Sequence, residues 1–175
     1  VNLIAPSEGS STSSRFVKKA LHDEDVKTAY MNYVRRAVEY FEPDYLNIGL
    51  EVGQLAHRKP RKWSDFVELY LHVRNGIKMD YPGLAIGISF GLQTLMDDSI
   101  QNRVDYLVKN SDFIGISFYP YMSTFHEKFG ANALAKPPME LRYPLSWLGE
   151  YSKKVNVPIA ISETGYSSKN VNLNS

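Results

Sequence analysis

Five short runs of this chain read as strands, each separated from the next by a longer stretch with helical spacing. The strand candidates are Val1–Ala5, Tyr45–Glu51 (YLNIGLE), Leu84–Phe90, Phe113–Tyr119 and Val157–Glu163. Two of them contain the same word, IGISF, at Ile86–Phe90 and Ile114–Phe118, 28 positions apart. Alternation with a period of two puts Gly87 and Ser89 on one face and Ile86, Ile88 and Phe90 on the other, and the second copy repeats the pattern. A spacing of about 30 residues is that of one strand–helix–strand unit. The repeat therefore predicts neighbouring strands of one parallel sheet, with large side chains toward a helix layer and small ones on a crowded or functional face.

Between the strands, apolar residues recur at three- and four-residue intervals. Val26, Tyr30, Tyr33, Val34, Ala37 and Phe41 predict a helix from Asp23 that Pro43 stops. Trp63, Phe66, Val67, Tyr70, Val73 and Ile77 predict a second, closed by the turn signal YPG. Ile100, Val104, Leu107 and Val108 define a third, and Pro144 opens a fourth carrying Leu145, Trp147, Leu148 and Tyr151. Ser7–Ser14 (SEGSSTSS) reads as a linker or long loop, and the tail SSKNVNLNS carries no pattern. Alternating β and α elements argue a parallel sheet covered by helices, without an internal domain boundary, so residues 1–175 read as a single region. Two α/β architectures satisfy this order: an open doubly wound sheet, or part of a (β/α)8 barrel. A closed barrel needs about 250 residues, with ~200 the lower end, so five strands make only a portion of one.

Composition adds exclusions. At 43% hydrophobic the 175 residues suffice for a sizeable core. A net charge of +1 with mixed signs gives no footprint for nucleic acid or a membrane surface. No Cys is present, which removes disulfides, thiolate metal sites and a cysteine nucleophile. The chain opens VNLIAP without Met, as expected of a processed or truncated start. No His-Glu-x-x-His spacing, glycine-rich phosphate loop or G-x-S-x-G setting occurs, so neither a metal nor an organic cofactor is expected.

Parallel strands present chemistry at their C-terminal ends. Here the second strand ends in Glu51, the fourth runs into Tyr119 and Tyr121, and the fifth ends in Glu163. Two carboxylates at the same end of one sheet form a candidate acid/base pair, because a charge at the end of a buried strand costs desolvation and needs a partner or a task. Asn47, four residues before Glu51, and His57 in the following loop (GQLAHRKPRKW) are further polar candidates for ligand contact. Tyr121 offers a ring on which an apolar ligand face could stack.

These motifs resemble those of the (β/α)8 glycoside hydrolases of clan A. IGLEVG is similar to the fourth-strand motif that carries the acid/base Glu, and IAISETGYSS to the seventh-strand motif that carries the nucleophile. GISFYPY is similar to the sixth-strand segment of family 53, the endo-β-1,4-galactanases. The resemblance implies a TIM-type barrel of which this chain covers about strands three to seven. It further implies a retaining hydrolase of a β-linked glycan, with Glu51 as general acid/base, Glu163 as nucleophile and Tyr119 donating to that nucleophile. A carbohydrate partner, a secreted or periplasmic location, and self-association of a partial barrel follow in the same way. Two features depart from the pattern. Leu50 stands where clan A enzymes carry an Asn that contacts the sugar 2-hydroxyl. Aligning IAIS with IGIS also puts Glu163 in the phase of Ile159 and Ile161, not that of the small residues. A degenerate barrel that binds saccharides without cleaving them, and an open-sheet protein that binds a small anion, are the rival expectations.

Overall fold

The computed structural model describes residues 19–119 and 142–165, without side-chain detail at 142 and 143. The expected strand Val1–Ala5 and the candidate Tyr121 lie outside these residues. Among the described residues, four strands form one wholly parallel sheet in chain order: β1 (Tyr45–Asn47), β2 (Ala85–Gly91), β3 (Phe113–Phe118) and β4 (Ile159–Thr164). Sequential order with helical crossovers is the arrangement of a barrel wall, whereas a doubly wound sheet reverses direction at a switch point. The sheet is a partial (β/α)8 barrel.

The helix layer is built by the predicted stripes. Helix α1 (Glu24–Phe41) begins with acidic residues Glu24 and Asp25 against the helix dipole. It ends where Glu42 turns into the left-handed region at φ 44° before Pro43. Its buried face is Tyr30, Met31, Val34 and Val38. Tyr33 and Phe41, expected in that stripe, instead lie exposed beside β1, the end strand among the described residues, where they line a groove of about 340 Å³ with Tyr45 and Leu46. Helix α3 (Pro60–Asp80) has Pro60 in its first turn and buries Trp63, Phe66, Leu69, Tyr70, Val73 and Ile77. Helix α5 (Asp98–Lys109) starts at Asp97, whose carboxylate accepts the Ser99 N–H at 3.0 Å. Helix α6 (Arg142–Val155) packs Leu148, Tyr151 and Val155, with Trp147 stacked on Tyr151 at 5.0 Å. All meet Ile86, Ile88 and Phe90 of β2 and Ile114, Ile116 and Phe118 of β3, which form the centre of one core.

Two short helices escape the periodicity. Residues 53–58 form α2 (Gly53–Arg58) and residues 92–95 form α4 (Leu92–Leu95). At six and four residues, neither completes the two turns on which a 3.6-residue pattern shows.

The small-residue face is the concave one. Register pairs Asn47 with Gly87, Ser89 with Gly115, and Gly91 with Ser117 across adjacent strands. At its lower end Phe113 lies over Gly87, whose missing Cβ would sit 2.5 Å from the ring, and meets Tyr45 edge-on at 5.6 Å. Below the sheet, Asp112 accepts from the Ile86 N–H at 2.9 Å, from Arg74 at 2.6 Å and from Lys78 at 2.8 Å, tying β2, β3 and α3 together.

Candidate active site

The first carboxylate does not end a strand. The ladder of β1 stops at Asn47, and the chain then bends, so the strand predicted through Glu51 is four residues shorter. The bend has a steric cause. A Cβ at Gly49 would lie 2.9 Å from the Phe66 ring, so this residue turns its bare side toward the helix layer and breaks the alternation. Glu51 then adopts φ 49°, a left-handed conformation that is uncommon for a residue with a side chain. Four hydrogen bonds hold the bend in place. The Gly49 carbonyl accepts from the Ser89 N–H at 2.7 Å, and the Val52 N–H donates to the Ser89 carbonyl at 3.1 Å. The Glu51 N–H donates to Ser89 Oγ at 3.0 Å, and the buried Tyr30 hydroxyl donates to the Ile48 carbonyl. Ser89 thus fixes the backbone of Glu51 from the concave face.

The second carboxylate reaches the same face by a β-bulge. Ile116 pairs with Ile161, but Ser117 pairs with Glu163, so Ser162 is an extra residue on β4. The insertion resets the alternation. Glu163 leaves the phase of Ile159 and Ile161 that simple alignment predicts and stands beside Ser117 and Tyr119. The Tyr119 hydroxyl donates to Glu163 Oε2 at 3.3 Å.

Gly115 brings the two halves together. A Cβ there would lie 2.9 Å from Ser89 Cβ and 3.0 Å from Ser162 Oγ. The serine that holds Glu51 and the serine that precedes Glu163 therefore converge over one bare backbone position. Strands β2 and β4 are two steps apart, about 9.6 Å in a flat sheet. Such convergence requires strong curvature, with side chains of the concave face leaning toward one axis.

The other predicted residues occupy supporting positions. Asn47 Oδ1 accepts the Gly49 N–H at 3.2 Å, an Asx turn that helps start the bend. His57 is on α2, not in a loop, and its Nδ1 lies 3.3 Å from Asp97. The Arg103 guanidinium donates to the Ala56 carbonyl, so α2 is clipped to α5 at two points and the chain after Glu51 is anchored. Leu50 is partly buried beside Glu51. Sequence reasoning missed Ser89, Ser117 and Ser162 as site residues, although the doubled pentapeptide marks the first two. Among the described residues no group of three or more His, Asp or Glu side chains is arranged to hold a metal ion.

A concave parallel wall with two glutamates at its C-terminal rim defines a partial barrel of the TIM type. The solved GH53 catalytic domain of Ignisphaera aggregans has this fold, with a TM-score of 0.56 at 20% identity, over 94% of the present chain and 43% of that one. The likeness is one of fold, and it falls on the family that GISFYPY resembles. The chain spans less than half the length of that solved domain. No protein-family profile matches the chain, and no curated protein matches it.

Proposed function

We propose that this chain is the catalytic region, or a portion of it, of a glycoside hydrolase that cleaves a β-linked, galactan-like glycan with retention. The observation that supports this reading is the β-bulge at Ser162, which puts Glu163 in register with Ser117, on the face from which Ser89 holds the Glu51 backbone. In the retaining route two carboxyls about 5–5.5 Å apart divide the work. Glu163 attacks the anomeric carbon and forms a glycosyl ester, while Glu51 gives its proton to the departing oxygen. Glu51 then takes a proton from water, which displaces Glu163 and releases the sugar with its original configuration. The Tyr119 hydroxyl donates to Glu163 Oε2 and so orients the attacking carboxylate.

Substitution of the nucleophile tests the reading. Glu163→Ala should lower turnover of an aryl β-galactoside by roughly 10⁴-fold or more, and azide should restore part of the rate by attacking the anomeric carbon in place of the carboxylate. Equal rates for wild type and variant would contradict it. One observation favours a second reading, a saccharide-binding barrel without turnover. Leu50 precedes Glu51 and offers no hydrogen bond to a sugar 2-hydroxyl, a contact that supplies several kcal/mol in the transition state. Binding of galacto-oligosaccharide by a chain without Glu163-dependent turnover is the outcome expected of that alternative.

A further inference from the structure

Ser89 and Ser117 occupy the same place in the two IGISF copies, yet their hydroxyls differ. Ser89 Oγ accepts the Glu51 N–H at 3.0 Å and lies 3.4 Å from the Gly49 carbonyl. Ser117 is only 2% exposed, and its Oγ has no hydrogen-bond partner among the described residues. A buried hydroxyl without a partner destabilises the fold and calls for an explanation. Its neighbours supply one. On the β2 side stands Gly91, which contributes no side chain, and on the β4 side stands Glu163 as the direct register partner. Adjacent strands are about 4.8 Å apart, so a χ1 rotation carries a serine hydroxyl toward a carboxylate on the next strand. Tyr119 reaches Glu163 through Oε2. Ser117 is thus the residue directly across from Glu163 on the neighbouring strand.

We infer that Ser117 is a positioning residue for Glu163, an internal donor that engages the carboxylate when it turns from Tyr119 toward a bound sugar. The inference rests on the retaining-hydrolase reading and adds a residue to it. Ser117 touches no substrate in this role and acts only through Glu163.

A double-mutant cycle separates this role from a structural one. Ser117→Ala should lower kcat for an aryl β-galactoside about tenfold and leave KM within twofold, and Ser117→Thr, which keeps the hydroxyl, should recover most of the loss. In the Glu163→Ala background with azide, adding Ser117→Ala should change the rescued rate by less than twofold, because the partner carboxylate is gone. Ser117→Ala should melt at or above the wild-type temperature, since its hydroxyl has no partner among the described residues to lose. Equal losses in both backgrounds, no loss in the wild-type background, or a lower melting temperature would each overturn the inference. Failure of the parent reading looks different: Glu163→Ala would then turn over substrate as fast as the wild type.

Discussion

The two IGISF strands are identical in sequence and different in use. In β2 the glycine makes room at the base of the concave face. The Phe113 ring packs where a Cβ on Gly87 would sit, and with Tyr45 it fills that end. In β3 the glycine makes room higher up, where Ser89 and Ser162 close over Gly115 from both sides. The serines diverge in parallel fashion: Ser89 is bonded to the Glu51 backbone, and Ser117 has no hydrogen-bond partner among the described residues and stands beside Glu163. One pentapeptide therefore encodes a strand with one bare face, and the neighbouring strands decide what the bare face receives. The lesson is that a small residue in a barrel wall acquires its role from the register partners on either side.

Substituting the two glycines is the most severe way to break this comparison. Gly115→Ala should reduce kcat/KM by about 100-fold, since its Cβ would press apart Ser89, which holds the Glu51 backbone, and Ser162, which precedes Glu163, and displacements of about 1 Å at a reacting centre have costs of this size. Gly87→Ala should instead destabilise the fold by about 1–3 kcal/mol through overpacking against Phe113 and leave kcat within about twofold. Thermal melting and steady-state kinetics on both variants check the contrast; equal kinetic losses would erase it.

A smaller effect sharpens the view of the lower end, where Asp112 ties the start of both copies. Burial alone would raise its pKa, but the Ile86 N–H together with Lys78 and Arg74 outweighs burial and holds it below the ordinary carboxylate range. The folded form thus binds its proton less readily than the unfolded chain. The stabilisation is complete above about pH 4 and is lost as pH falls through the depressed value. Wild type should lose melting temperature more steeply than Asp112→Asn between about pH 4 and pH 2, by about 3 °C given that solvent screens the group. Parallel curves would show that the network contributes nothing measurable.

Much of the wall was legible from periodicity. The IGISF repeat gave two neighbouring parallel strands, and the stripes Trp63–Ile77 and Ile100–Val108 gave two of the covering helices. Departures occur where one residue interrupts alternation. Gly49 ends the regular strand early because Phe66 occupies the space a Cβ would need, and Ser162 adds a residue that only the pairing with β3 reveals. Both interruptions lie just before a glutamate. The features least visible in the sequence are therefore the ones that aim the candidate site. Tyr33 and Phe41 failed for another reason: periodicity identifies an apolar face but not which neighbour that face meets.

The central claim is that Glu51 and Glu163 serve one anomeric centre, with Glu163 as the attacking group. Trapping with an activated 2-deoxy-2-fluoro-β-galactoside tests it most directly, because fluorine slows hydrolysis of the glycosyl ester. Peptide mass spectrometry should find the fluorosugar on the peptide carrying Glu163, with no labelling of Glu163→Ala. Labelling of another residue, or none at concentrations where the parent glycoside is turned over, would contradict the account.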